Sequence, residues 1–203
     1  MREIAQGIHH WTAFRDTIGA RVSSYWIEPA RVLIDPMVPG EGLEAFEAFA
    51  VRPEQVVLTT GLHTREAERF ADALEIPIRA PLEAAERLGD RLTYEPYADG
   101  EELAPGMHAV HIDVLCPDEY ALHMTIGQGA ISFADGVHHD GEELGFFDDY
   151  LLGDDPEAVK RGLTEQVRAL LDRDFAHLLF AHGEPIVGDG KRVLREFVES
   201  RAG

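Results

Sequence analysis

Val22-Ser23-Ser24-Tyr25-Trp26-Ile27-Glu28-Pro29-Ala30-Arg31-Val32-Leu33-Ile34-Asp35-Pro36 sets the reading of the whole chain. Two β-rich runs, 22–27 and 31–34, flank Glu28-Pro29-Ala30, so the segment predicts a β-hairpin. Asp35-Pro36 ends the second strand, because proline has no N–H for a ladder. Downstream, Leu43, Phe46 and Phe49 recur at helical spacing and predict a short amphipathic helix over 41–50. Val56-Val57-Leu58-Thr59 predicts a buried strand. Ala67, Phe70, Ala71 and Leu74 then fit the i, i+3, i+4, i+7 pattern of a helix, which leaves 60–64 as the loop between them.

Further along, Ile76-Pro77-Ile78 predicts an edge strand, since proline is excluded from central ones. Residues 82–88 predict one or two helical turns, and 107–114, 120–126 and 130–133 predict strands. Gly127-Gln128-Gly129 joins the last two as a hairpin turn. The stretch 134–155, rich in aspartate and glycine, predicts loop. Asp155-Pro156 supplies an N-cap and a first-turn proline for a helix whose apolar face is Val159, Leu163, Val167, Leu170 and Leu171. Leu178-Leu179-Phe180-Ala181 predicts a buried strand, and Asp189 is placed to cap a last helix carrying Val193, Leu194, Phe197 and Val198. Strand meanders joined to helices imply a layered α/β architecture. With no repeat, linker or low-complexity segment, residues 1–203 are expected to form one domain.

Composition narrows the function. The chain has 45% hydrophobic and 28% charged residues, the mixture of a soluble globular protein. Eighteen basic residues against thirty-eight acidic ones give a net charge of −20, and only Lys160 and Lys191 are lysines. A field of that sign repels phosphate backbones and anionic lipid, so neither nucleic acid nor membrane is expected as a partner. Two readings of the acidity stand side by side, an acidic cytoplasmic protein and a chain adapted to high salt, where ions screen self-repulsion. No apolar run reaches membrane-spanning length, and Met1-Arg2-Glu3-Ile4-Ala5 lacks the apolar stretch of a signal peptide, so none is expected. With one cysteine, Cys116, a reducing cytoplasmic location is expected.

The chain has no GxxxxGK[ST] phosphate loop and no GxSxG nucleophile elbow. Cys116 reads as a small buried hydrophobe rather than a nucleophile. Ten histidines in an acidic chain raise a metal reading, yet no HxH, HExxH or CxxC pattern occurs. More telling are three loops that each follow a buried strand: 60–65, 135–140 and 182–185. Loops at strand ends on one sheet edge are where α/β folds build sites, so His63, Asp135, His138 or His139, and His182 are candidates to converge.

In order and spacing, several segments resemble the metallo-β-lactamase superfamily over nearly the whole chain. The residues are the opening hairpin 24–36, Val57-Leu58-Thr59, Pro117 with Tyr120-Ala121-Leu122, Ser132-Phe133-Ala134-Asp135-Gly136, and Phe180-Ala181-His182-Gly183-Glu184-Pro185. The resemblance implies a four-layer αββα sandwich and a metal-dependent hydrolase of esters, thioesters, lactones or amides. Carried over position by position, the HxHxDH metal motif falls on Thr60, Leu62, Thr64 and Arg65. The third histidine falls on Leu115, and only Asp135 and His182 match.

The resemblance places Thr60, Leu62, His63, Thr64, Arg65, Leu115, Cys116, Asp135 and His182 around one pocket. Two matching ligands are too few for a di-metal centre, since even one catalytic zinc takes about three protein ligands. Two arrangements follow. In one, the Arg65 guanidinium takes the vacant metal's place as an ion pair with Asp135. In the other, His63, one residue after Leu62, joins Asp135 and His182 around one zinc or other divalent ion; side-chain alternation along an extended chain opposes this. The functional alternatives are a divergent hydrolase and a non-catalytic protein holding an anionic small molecule or partner through Arg65 and nearby histidines. Phe146-Phe147 and Tyr150-Leu151-Leu152 offer an apolar patch suited to a homo-oligomer contact or to a lid.

Overall fold

The structure, a computed structural model, describes residues 1–141 and 143–201. In chain order its strands and helices are β1 (Arg2–Ala5), β2 (Ile8–Arg15), β3 (Ala20–Ile27), β4 (Val32–Ile34), β5 (Gln55–Val57), α1 (Ala67–Leu74), β6 (Ile78–Pro81), α2 (Ala85–Leu88) and β7 (Glu95–Tyr97). There follow β8 (Glu102–Ala104), β9 (Met107–His111), β10 (Tyr120–Met124), β11 (Ala130–Phe133), β12 (His138–Asp140), β13 (Glu143–Gly145), α3 (Pro156–Ala169), β14 (His177–Phe180) and α4 (Gly190–Glu199). One sheet runs β1-β2-β3-β4-β5-β6-β7 and a second runs β14-β11-β10-β9-β8.

Period-two alternation builds the layers. Tyr25, Ile27, Val32, Ile34 and Val57 point to one side of the first sheet. They meet Tyr120, Leu122, Met124, Ala130 and Leu179 of the second sheet in a central core. The alternate residues Trp26, Leu33 and Val56 face outward onto Phe46, Ala67 and Phe70. Ala121, Ile131, Phe133, Leu178 and Phe180 likewise face Leu163, Val167, Leu194 and Phe197 of α3 and α4. Three cores between four layers make an αββα sandwich. No helix among the described residues is long and apolar enough to cross a membrane.

Several local expectations need correction. The amphipathic stretch 41–50 forms a 3₁₀ helix, Leu43–Ala48, rather than an α-helix. The strand at 76–78 is not an edge: β6 begins at Ile78 and pairs in parallel with both β5 and β7. Pro77 precedes it and contributes a carbonyl to Val56 N–H, so its missing N–H is lost outside the ladder. The loop 134–155 contains a small antiparallel hairpin, β12–β13. Asp189 precedes α4 without a side-chain cap bond and pairs with Arg192 instead, whereas the Asp155 carboxylate does accept from Ala158 N–H at 3.0 Å.

Candidate metal centre

Parallel pairing carries the site residues to one edge. β4 and β5 run parallel, as do β11 and β14, and the residues that follow their C-terminal ends are Asp35, Thr59 with the 60–65 loop, Asp135 and His182. Beyond β5 the chain makes a 3₁₀ turn, Gly61–His63, with Thr60 at its N-cap. A turn of this kind does not alternate as a strand does. It throws Leu62 outward, 40% exposed, and brings His63 inward, 3% exposed.

The imidazole of His63 spans two carboxylates. Its Nδ1 lies 2.9 Å from Asp35 Oδ2 and its Nε2 lies 3.1 Å from Asp135 Oδ1. Asp35 also accepts from the Thr59 N–H at 2.8 Å and the Thr59 hydroxyl at 2.5 Å. His182 Nε2 lies 3.1 Å from the same Asp135 oxygen. His139 donates its N–H to the His182 carbonyl, and the Ser23 hydroxyl donates to the Gly183 carbonyl, which fixes the loop after β14. Gly183 has φ +105°, and a Cβ there would sit 1.8 Å from the His139 carbonyl oxygen, so only glycine fits.

Burial and charge oppose each other at these groups. Burial alone would raise the Asp35 carboxyl, but the His63 and Arg65 charges and the bonds from His63 and Thr59 outweigh it and hold it below its ordinary value. Burial likewise favours a neutral His63, yet Asp135 and Asp35 overcome this and lift the ring to about 9. Asp135 is held well below the carboxylate range, because His63 and His182 outweigh its burial. Without a cation, the ring of His63 is an imidazolium shared by two carboxylates.

The same donors suit a cation. His63, Asp135 and His182 each offer one ligand atom, and these three atoms lie within 4.8 Å of one another. Bonds of about 2.0–2.1 Å in a tetrahedral zinc site place ligand atoms roughly 3.3 Å apart, close to the 3.1 Å contacts to Asp135. Asp35 on Nδ1 selects the tautomer whose Nε2 lone pair faces the cluster, the outer-partner role of a carboxylate behind a metal-bound histidine. Among the described residues this is the one such group of three, and its donors fit one ion.

The other residues expected around the pocket are dispersed. Arg65 makes no ion pair with Asp135, which corrects that expectation. Its Nη1 donates to the carbonyls of Ser23 and Asp35, at 2.5 and 2.7 Å, and its Nη2 to that of Ala181 at 3.4 Å. Main-chain carbonyls engage the guanidinium before any ligand could, so Arg65 ties the middle of β3 to the residues just after β4 and β14 rather than presenting a charge. Thr60 is buried, its hydroxyl donating to Asp118 at 3.1 Å. Leu62 and Thr64 line a separate cavity of about 480 Å³ with Arg87 and Arg91. Cys116 is partly buried, and burial together with Glu119 pushes its thiol up to about 11. Leu115, also partly exposed, offers no ligand atom. His138 stacks on Phe147, whose ring meets His182 edge-on, and His139 Nδ1 lies 2.7 Å from the Glu184 carbonyl. The apolar patch is split: Leu152 is buried, while Tyr150 is 80% exposed.

Asp35, Thr59, Asp118 and Glu119 are neighbours of this cluster that spacing did not single out. The signal for Asp35 was present, an aspartate directly after a buried strand at the same sheet edge.

No protein-family model matches the chain, and no curated protein sequence matches it significantly. Solved structures do. TMB-1 superposes with a TM-score of 0.71 at 10% identity, covering 100% of this chain and 97% of its own. DIM-1 metallo-β-lactamase gives 0.70 at 12% identity, covering 98% and 96%, and a metallo-β-lactamase from Erythrobacter litoralis gives 0.68 at 14%, covering 98% and 95%. At these identities the likeness establishes the fold, which is the metallo-β-lactamase fold.

Proposed function

We propose that this chain, built on the metallo-β-lactamase fold, holds a single divalent cation on His63, Asp135 and His182 and is a divergent hydrolase of an ester, thioester, lactone or amide. The observation that carries the reading is the convergence of three donor atoms from three separate loops, with a buried carboxylate behind one of them. A bound divalent ion in such a set supplies Lewis acidity and lowers the pKa of water. The protein's part is positional. Asp35 and Thr59 hold the His63 ring, the Arg65 guanidinium ties the backbone of Asp35 to that of Ala181, and His139 with Ser23 fixes the His182 loop.

A second reading has its own observation. His63 lifted to about 9 between two carboxylates forms a closed ion-paired cluster that needs no cation, as a non-catalytic binding protein would keep. Elemental analysis of protein purified without chelator or metal-affinity resin, then dialysed against zinc, decides between them. One ion per chain, lost in His182→Ala, with hydrolysis of a member of an ester, thioester, lactone and amide panel, supports the hydrolase. No retained ion favours the ion-paired cluster, and two tightly held ions overturn both.

A further inference from the structure

The loop 115–119 offers leucine where the resemblance expects a third histidine, yet it sends two buried carboxylates, Asp118 and Glu119, into the site's framework. They are 1% and 2% exposed. Consecutive side chains diverge, and these two reach different loops. Asp118 Oδ2 accepts from Gly61 N–H at 2.8 Å, the Thr60 hydroxyl at 3.1 Å and Arg87 Nε at 3.2 Å, at the start of the turn that aims His63. Glu119 Oε1 accepts from Asp135 N–H at 3.1 Å and Gly136 N–H at 2.5 Å, under the loop that aims Asp135. Its other oxygen, Oε2, has no partner among the described residues.

Keeping a buried carboxylate with one bare oxygen costs free energy, since unsatisfied buried acceptors lose their hydration. Plain packing would be served better by an apolar side chain. Gly136 follows from the same demand: a Cβ there would lie 2.8 Å from Glu119 Oε1 and 3.0 Å from Leu163 Cδ2. The backbone is left bare where the carboxylate must approach.

We propose that Asp118 and Glu119 are positioning residues, a two-armed brace that sets the spacing between His63 and Asp135. Resting on the single-cation reading, the loop which lost a ligand acts on the remaining ones through their backbones. Glu119 holds the Asp135 arm and Asp118 holds the His63 arm, each independently of the other.

The test uses the full chain with Asp118→Ala, Glu119→Ala, Glu119→Gln and Gly136→Ala, and two readouts: zinc affinity by competition with a chromophoric chelator, and amide hydrogen exchange of the metal-free protein. Loss of an outer partner typically weakens metal binding about 10–100-fold, and that loss is expected for Asp118→Ala, Glu119→Ala and Gly136→Ala. Glu119→Gln retains an oxygen for both amides and should stay within about threefold of the parent. Exchange should quicken at Asp135 and Gly136 in Glu119→Ala with Gly61 unchanged, and at Gly61 alone in Asp118→Ala. If Glu119→Ala does not fold, Gly136→Ala carries that arm. Parental zinc affinity in folded variants overturns the brace, as does equal loosening of all three amides in each variant. A parent that takes up no zinc overturns the single-cation reading instead, and the exchange pattern then decides the brace alone.

Discussion

The charge on His63 should be visible in how the metal-free protein loses stability with pH. The ring is lifted from an ordinary 6.5 to about 9, chiefly by Asp135 and Asp35 against the opposing effect of burial. At about 1.36 kcal/mol per unit, a rise of this size corresponds to about 3 kcal/mol of stability. The sign follows from proton binding. Between about pH 6.5 and 9 the folded ring holds a proton that the unfolded ring has released, so unfolding loses a proton and stability falls as pH rises. The contribution is complete below about 6.5 and gone above about 9. Asp35 and Asp135, both held low, act in the opposite sense and weaken the fold only in acid. Glu119, which burial and Asp135 raise from 4.5 to about 7, acts in the same sense as His63 but lower, its contribution lost as pH rises from about 4.5 to 7. Urea unfolding of chelator-treated protein at fixed salt, from pH 6 to 9.5, should therefore show an alkaline decline of about 3 kcal/mol. His63→Gln should erase that decline while Glu119→Gln keeps it. A flat profile above pH 7, or the same decline in His63→Gln, would refute a charged His63.

Zinc affinity should move the other way, rising about tenfold per pH unit from roughly 7 to 9 and then levelling, because the ion must displace the His63 proton; a competition titration with no such slope contradicts the assignment of His63 as ligand. Gly183→Ala should cost about 2–4 kcal/mol and weaken zinc retention, since its Cβ meets backbone at 1.8 Å, whereas Gly188→Ala, at φ +86° with open space around it, should cost only about 1 kcal/mol. Both are read from chemical denaturation, and equal costs would contradict the clamp on the His182 loop. With a net charge of −20, the melting temperature should rise as sodium chloride increases to a few tenths molar; a flat or falling curve would remove the electrostatic argument. Continued gain towards molar salt would mark adaptation to a saline interior.

The layers were legible where one physical pattern dominated. β3 and β4 carry β-rich runs around a proline-containing turn, and α1 has the complete apolar stripe of a helix, so each is found where periodicity puts it. β2 was not, because His9 and His10 interrupt its apolar pattern although both are buried. His9 Nε2 meets Glu28 at 3.1 Å and His10 Nε2 meets the Ser23 hydroxyl at 2.9 Å. Burial by way of a hydrogen-bond partner leaves no trace in hydropathy. β6 was misread as an edge because Pro77 was counted inside the strand rather than just before it. The hairpin β12–β13 was hidden by the aspartates and glycines of its turn, which read as loop throughout.

The site divides along the same physical line. Asp135 and His182 follow buried strands directly, and a side chain one or two residues past a strand end inherits the strand's direction, so both could be placed from sequence. His63 could not. The objection to it rested on alternation along an extended chain, under which a residue next to Leu62 faces away from the pocket. The chain at Gly61–His63 is not extended; it is a single 3₁₀ turn, and three residues per turn carry His63 inward and Leu62 out. The turn is held from behind by Asp118, whose carboxylate takes the Gly61 N–H and the Thr60 hydroxyl from 57 and 58 residues away. A contact of that sequence separation has no local signature. Arg65 was misassigned for a related reason. Charge alone pairs a guanidinium with the nearest carboxylate, but the carbonyls of Ser23, Asp35 and Ala181 converge on this one, and a planar fork of donors reaches them first. Asp135 is thereby left to the two histidines, and that division of donors is what makes a one-ion site possible here.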